Sequence, residues 1–381
     1  MRIMVSAGEV SGDVHGSYLV REIKKLRPDT RFFGVGSERL AAEGVDIKFD
    51  ITQRGTIGLL EALPNLFPIF SVFNKVKKLL LQEKPDLVIL IDSQGFNLPL
   101  AKFCKKIGVK TAYYIAPQEW LWGTPRGVKR VAETVDLIVA IFEKEYEAYK
   151  KAGANVVYFG HPLLDIVKPT MTRDVARKKF FGPRVTGPES RVIAICPGSR
   201  TQEIINLFPI LLKAAEMIQK ETPDLFFLIP AASKEIYTML QKFTLNIKNC
   251  AVLLPGSIYD ALNASNLAIC ASGTINFEAS ILGIPNIMVY KLSPLTYFIG
   301  KYFLKIDKKI KFFSMPNILL DEAVIPELVM GDATPENILA SARRLLNSPH
   351  NDAEFTRLLS RLGAAGAIEK VARNLLHLDT F

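Results

Sequence analysis

The sequence predicts an α/β protein built as two Rossmann-like, doubly wound halves facing a central cleft. Three observations carry that prediction. Apolar runs of strand length alternate with segments of helical period along most of the chain. The alternation pauses once, near the middle. The chain also has 381 residues, too many for one comfortable core, so two domains are expected.

The first half opens with an apolar run at 3–5. The surrounding segment Met1-to-Ala7 is apolar but short, and Glu9 and Asp13 interrupt it, so it reads as a first strand and not a signal peptide. Leu19, Ile23 and Leu26 then recur at helical spacing, and further runs follow at 31–34, 87–91, 111–115, 137–141 and 156–159. The turn Ala7-Gly8-Glu9-Val10-Ser11-Gly12-Asp13 joins the first strand to the first helix. Gly8 and Gly12 permit a tight turn with close ligand approach, and Ser11 or Asp13 is placed to cap the helix. A well-capped loop without a ligand needs the same residues.

Asp92 follows the run 87–91 directly, within Ile91-Asp92-Ser93-Gln94-Gly95-Phe96-Asn97. A carboxylate at the end of a buried strand is poorly solvated and aimed at the binding edge, which suits a general base. The alternative is a cap for the next helix. Pro117-Gln118-Glu119-Trp120-Leu121-Trp122 carries both tryptophans of the chain, with Arg126, Lys129 and Arg130 beyond. It reads either as loop packing or as a wall for an amphipathic acceptor with cations for its phosphate. His161, in Phe159-Gly160-His161-Pro162, more often plays a structural part.

Residues 167–190 are rich in Lys, Arg, Pro and Gly and are expected to form a linker with an edge helix. A second series of runs follows at 192–196, 225–229, 251–254, 267–270 and 287–290. Its first run ends in Pro197-Gly198-Ser199-Arg200, its fourth in Ala271-Ser272-Gly273-Thr274-Ile275-Asn276-Phe277-Glu278. Small residues at a strand-to-helix turn let the backbone approach a phosphate, and the first N–H groups of the helix then face it. Arg200 adds a bidentate cation, and Glu278, one turn into its helix, is placed to accept from ribose hydroxyls. Two such turns point to a nucleoside diphosphate and a sugar-nucleotide enzyme. The expected organisation is 1–166, a linker at 167–190, a donor-binding domain at 191–352, and helices at 353–381 that return to the first domain.

The remaining composition narrows the partners. No run approaches the roughly 20 apolar residues of a membrane span. Two segments nevertheless suggest a membrane face: 63–81, with Phe67, Phe70, Phe73, Lys75, Lys77 and Lys78, and 297–313, with six aromatic residues among Lys301, Lys305, Lys308, Lys309 and Lys311. A core helix with a solvated lysine face is the alternative for each. The formal charge of +10 favours an anionic partner, and without a recognised nucleic-acid motif that partner is not nucleic acid. Cys104, Cys196, Cys250 and Cys270 form no CxxC pair and read as buried thiols in a reducing cytoplasm. No His, Asp and Glu cluster has metal-ligand spacing, so neither metal nor cofactor is expected.

The ordered set Ala7-to-Asp13, Ile91-Asp92 with Phe96-Asn97, Gly160-His161-Pro162, Pro197-to-Arg200, Ala271-to-Thr274 with Glu278, Ser314-Met315-Pro316-Asn317, and Val324-Ile325-Pro326-Glu327-Leu328 resembles the lipid-A-disaccharide synthase family over nearly the whole chain. The resemblance implies an inverting GT-B glycosyltransferase of lipopolysaccharide synthesis, whose product serves the Gram-negative outer membrane. Its donor would be UDP-2,3-diacylglucosamine and its acceptor 2,3-diacylglucosamine 1-phosphate, and the products would be UDP and a β(1→6) disaccharide 1-phosphate. It further implies Asp92 as base and Arg200, with the amides around Ser272, Gly273 and Thr274, on the leaving diphosphate. Glu278 would hold the ribose and Asn317 the donor, with Gly8, Glu9, Ser11, Gly12 and Ser199 lining the substrates. No metal is required. Such an enzyme would be cytoplasmic and peripherally associated with an anionic inner membrane; its oligomeric state is open. Two positions depart from the family pattern: Gly95 stands where a second acid often follows the base, and Gly123 where an arginine follows the tryptophans, leaving Arg126 or Arg130 for the acceptor phosphate. The competing readings are a UDP-N-acetylglucosamine 2-epimerase, an undecaprenyl-linked N-acetylglucosaminyl transferase, and a non-catalytic nucleotide-sugar binding protein.

Overall fold

The computed structural model describes residues 1–52, 59–185, 190–244, 247–291, 311–348 and 352–378, with side chains of 59–67 excepted. The chain forms two compact units, Met1–Ile166 with Leu362–Phe381, and Val167–Arg361.

The first unit holds a seven-stranded parallel sheet. In chain order its strands are β1 (Arg2–Ala7), β2 (Arg31–Val35), β3 (Asp46–Phe49), β4 (Leu87–Ile91), β5 (Lys110–Tyr114), β6 (Leu137–Ala140) and β7 (Val156–Tyr158). They lie in the order β3-β2-β1-β4-β5-β6-β7. Central strands of a parallel sheet are covered on both faces and so read as unbroken apolar runs. β4 is buried at every position and pairs with β1 from Ile3↔Leu87 to Ala7↔Ile91. The edge strand β3 has no such run. Asp46 and Lys48 are exposed between half-buried Ile47 and Phe49, and the sequence reading passed over it.

Helices cover both faces of this sheet. Leu59–Glu83 packs on Gln94–Ile107, with Phe73 edge-on to Phe96 at 5.7 Å. Helix Gln94–Ile107 stops at Gly108, whose left-handed backbone supplies the usual glycine C-cap. The last helix, Ala367–Leu376, lies on Val10–Leu26. Asp165 fixes its start by accepting the N–H of Gly366 at 2.6 Å and of Ile368 at 3.0 Å. The return to the first unit thus begins at Leu362, and the preceding helix, Asp352–Ser360, stays with the second.

The second unit repeats the plan with β8 (Val192–Cys196), β9 (Phe226–Pro230), β10 (Cys250–Leu253), β11 (Leu267–Ala271), β12 (Asn286–Tyr290) and β13 (Glu327–Val329). Their order is β10-β9-β8-β11-β12-β13, again parallel. Helix Thr201–Glu221 buries Ile204, Leu207, Phe208, Leu211, Ala214, Ala215 and Ile218 at helical spacing against it. The stretch 167–190 belongs to this unit through its helix Arg173–Phe181. Arg177 is buried and donates to Ala264 O at 2.8 Å and Asn266 Oδ1 at 2.8 Å. Asp260 accepts from the Thr170 amide and hydroxyl, each at 2.7 Å. Short runs rich in Lys and Arg look like a linker, but these buried polar contacts bolt the segment down.

Candidate active site

Each sheet reverses its strand order once, between β1 and β4 in the first unit and between β8 and β11 in the second. Crossovers leave such a point in opposite directions, and ligands of open α/β sheets bind there, beyond the carboxyl ends of the strands. The turns singled out in the sequence lie at these two points.

At the first, the chain leaves β4 through two successive non-glycine residues with left-handed backbone, Asp92 at φ 49° and Ser93 at φ 52°. Each such residue costs about 1–3 kcal/mol, and persists only where its surroundings enforce it. The enforcing group is Asn97. Fully buried, it donates through Nδ2 to the carbonyls of Ser6 at 3.0 Å, Ile91 at 3.0 Å and Asp92 at 2.8 Å. Its Oδ1 accepts from Ser6 Oγ at 2.6 Å. The hydroxyl of Tyr113 donates to the Asp92 carbonyl at 2.9 Å. Burial pushes that phenol well above its ordinary pKa, so it stays a donor. Asp92 Oδ1 accepts the Ser93 N–H at 2.8 Å. The N-cap position of the following helix is Ser93, whose side chain makes no capping bond, and Asp92 stands one residue before it.

The neighbouring turn after β1 is shaped by the same elbow. A methyl at Gly8 would overlap Ser93 Oγ, which is why a glycine stands there. Gly12 sets its helix close to β4, where a Cβ would meet Ile91 O at 3.5 Å. The expected cap by Ser11 or Asp13 is corrected: Glu9 holds the N-cap of Val10–Leu26 without a side-chain bond. Asp13 serves a different helix, accepting the amides of Ser37 at 2.6 Å and Arg39 at 3.0 Å. His161 is structural here. Its Nδ1 accepts the Leu163 N–H at 3.2 Å, its own N–H holds Leu362 O at 2.8 Å, and burial keeps its pKa well below the ordinary value. Of the tryptophans, Trp120 packs on Phe142 at 5.8 Å, while Trp122 is 51% exposed.

At the second reversal the left-handed positions are glycines, Gly198 at φ 112° and Gly273 at φ 139°. Arg200 is the N-cap of Thr201–Glu221, with Ser199 beside it. Glu203, three residues into that helix, was not expected. Burial raises its pKa, opposed by the Arg200 charge and by hydrogen bonds from the Ser199 and Arg200 amides. Its carboxylate lies against Gly198, where a Cβ would overlap it. The signal was present in the sequence, since a Glu at this helix position is half of a capping box.

After β11 the Ser272 N–H donates to Val289 O at 3.1 Å. The Ser272 amide is thus taken, and of the three named amides those of Gly273 and Thr274, at the start of helix Thr274–Ile281, remain for a ligand. Burial raises the Glu278 carboxyl to about 7, partly offset by a hydrogen bond from the Thr274 hydroxyl. Asn317 is also corrected. Its Nδ2 donates to Ile325 O at 2.9 Å and Glu327 Oε1 at 2.8 Å, and its Oδ1 accepts the amides of Val324 at 2.8 Å and Ile325 at 2.9 Å. Nothing of the amide remains for a donor; with Glu327 it ties the motif at 314–317 to the one at 324–328.

The expected membrane segment 297–313 lies outside the described residues up to 310. In the other, Val76 and Leu80 enter the core while Phe70 is 65% exposed. Among the described residues no helix is long and apolar enough to cross a membrane, and no group of three or more His, Cys, Asp or Glu side chains is arranged to hold a metal. The four cysteines are free thiols.

A family model described as Lipid-A-disaccharide synthetase matches residues 3–371. The lipid-A-disaccharide synthase of Geobacter metallireducens is 37% identical over 385 residues, covering 99% of this chain and 97% of the relative. That of Gloeothece citriformis is 36% identical, covering 99% of both. Among solved structures, the UDP-GlcNAc 2-epimerase of Neisseria meningitidis bound to UDP-GlcNAc superposes with a TM-score of 0.64 at 14% identity, covering 99% of this chain and 100% of that one. A spinosyn rhamnosyltransferase complexed with thymidine diphosphate gives 0.60 at 14%, with 99% and 100% covered. These two likenesses speak to the fold, which is shared by epimerases and glycosyltransferases. Identity along the whole length separates the two possibilities: the chain belongs to the lipid-A-disaccharide synthase family.

Proposed function

We propose that this protein is an inverting glycosyltransferase that joins UDP-2,3-diacylglucosamine to 2,3-diacylglucosamine 1-phosphate. The observation that carries the reading is the pinned elbow at Asp92. Its left-handed backbone is held by Asn97 and Tyr113, with Asn97 itself tied to the β1 end, and this fixes the residue at the carboxyl end of β4.

The acceptor 6-hydroxyl gives its proton to Asp92 while its oxygen bonds to the donor anomeric carbon. The bond from that carbon to the diphosphate breaks on the opposite face, its electron pair leaves with UDP, and the centre inverts. A positioned base contributes roughly 10²–10⁴-fold to such a step. Arg200 and the amides of Gly273 and Thr274 stabilise the charge growing on the diphosphate. Glu278 accepts from the ribose, and Gly8, Glu9, Ser11, Gly12 and Ser199 line the substrates. A cation and helix amides thus supply the charge stabilisation, and no metal is assigned.

Both substrates carry acyl chains, each buried CH₂ of which is worth about 0.8 kcal/mol at a membrane. The exposed Phe70, with Lys75, Lys77 and Lys78 on the same helix, supports peripheral attachment to the cytoplasmic face of an anionic inner membrane. The test is to incubate purified protein with diacylated donor and acceptor. UDP release that requires both supports the reading. Release with donor alone, or epimerisation of UDP-N-acetylglucosamine, would overturn it.

A further inference from the structure

The first unit carries a cationic groove beside the elbow. It is an open cavity of about 400 Å³ lined by Gln94, Gly95, Leu98, Pro99, Lys102 and Arg130. Five of these come from one face of helix Gln94–Ile107, where residues three and four apart are neighbours. Arg130 comes from helix Pro125–Ala132. Lys102, two turns beyond Gly95 on the same helix, lines the far end of the groove. The floor is apolar at Leu98, which is 5% exposed.

The polar fittings of the groove are organised by a carboxylate behind it. Glu119, only 9% exposed at its side chain, accepts from Gln94 Nε2 at 2.6 Å and stands 3.6 Å from the Arg130 guanidinium. That pair engages one nitrogen of the Arg130 guanidinium, and Lys102 lines the groove as its second cation. At the head of the groove the amides of Gln94 and Gly95, first in their helix, have no partner within it. A side chain at Gly95 would meet nothing within 4 Å, so an anion has room to approach them. Gly95 is the place where the family pattern puts a second acid, and an acid there would repel an anion.

We propose that this groove is the subsite for the acceptor's anomeric phosphate monoester, held by Lys102, Arg130 and the first amides of helix Gln94–Ile107. This inference rests on the function proposed above and deepens it. The carbons carrying the anomeric phosphate and the 6-hydroxymethyl group both bond to the ring oxygen, so the two groups flank one edge of the pyranose. Gln94 is two residues from Asp92, a span of at most about 7 Å of chain. The groove is therefore within reach of the phosphate of a sugar whose hydroxyl meets Asp92. The site replaces the arginine that the family pattern places at Gly123.

The test measures binding without donor, so it does not depend on transfer. A soluble acceptor, 2,3-dibutyrylglucosamine 1-phosphate, is titrated by calorimetry into the full chain and into Lys102→Ala, Arg130→Ala and the double variant, each beside its phosphate-free counterpart. Wild type should prefer the phosphorylated sugar. Each single variant should weaken its binding roughly ten- to a hundredfold, with the phosphate-free sugar bound as before. Lys102→Arg should restore much of the loss. Equal binding by wild type and the double variant, or no preference for phosphate in wild type, would overturn the subsite. The same would follow if the double variant lost sedimentation with phosphatidylglycerol vesicles while keeping its preference for the sugar phosphate, since the groove would then read lipid headgroups. Transfer assayed alongside keeps the two claims apart. Absent transfer with intact phosphate preference removes the glycosyltransferase reading and leaves the phosphate subsite standing.

Discussion

The two sheets reverse their strand order at corresponding points, yet the chain builds the two turns from opposite materials. After β4 the left-handed backbone is imposed on Asp92 and Ser93, and a buried Asn97 and Tyr113 hold it there. After β8 and β11 the left-handed backbone falls on Gly198 and Gly273, where it costs little. The difference separates two tasks. A turn that must present one side chain cannot be glycine there, so the structure carries strain and offsets it with hydrogen bonds. A turn that must present amides to a phosphate needs the side chain removed. Even so, the second turn is not empty: Glu203 already holds the Ser199 and Arg200 amides, so the diphosphate proposed for this loop would compete with an internal carboxylate.

If the first turn exists to present a carboxylate, Asp92→Asn should show the largest effect. Asparagine tolerates left-handed backbone, so the fold should persist while turnover falls roughly 10²–10⁴-fold. Steady-state UDP release checks this, and near-normal turnover would remove the base role. Asn97→Ala attacks the scaffold instead of the reactive group. Buried carbonyls at Ser6, Ile91 and Asp92 lose their donor, which should cost about 1–3 kcal/mol of stability in denaturant unfolding. Turnover should fall with it.

At the second turn the sharper probe is pH. Burial holds Glu278 at about 7, and the ribose hydroxyls proposed to bind it would donate to its ionised form. UDP affinity should therefore be full above about pH 7 and fall below it, by at most about tenfold per pH unit. Glu278→Gln should flatten that profile in calorimetry. An affinity that rises as pH falls through 7 would take the ribose away from this residue. The smallest expected effect is none: chelation should leave transfer unchanged, because in the proposed mechanism Arg200 and the helix amides supply the charge stabilisation. Activity lost in EDTA and restored by magnesium or manganese would contradict this.

Most of the architecture was legible because buried parallel strands advertise themselves. The bounds of β4 and β8 were read directly. β3 and β13, half-exposed edge strands of four and three residues, carry no such run and were missed. Glycines and Arg200 at the reversal points were visible as residue types in turns. Their hydrogen bonds were not, because each depends on chain far away: Asn97 meets Ser6 across 91 residues. For the same reason Asn317 looked like a ligand contact, although its amide is consumed by backbone at 324–325 and by Glu327. A polar residue in a motif reveals that it is needed, and only the fold reveals whether by a ligand or by the chain.

The division of labour between the two turns is tested most directly by UDP calorimetry on two variants side by side. Asp92→Asn should bind UDP as wild type does. Arg200→Ala should bind it more weakly by about 1.5–3 kcal/mol, the worth of a charge-assisted contact. If Asp92→Asn weakens UDP as much as Arg200→Ala does, or if Arg200→Ala leaves it unchanged, the assignment of base to one turn and leaving group to the other is wrong.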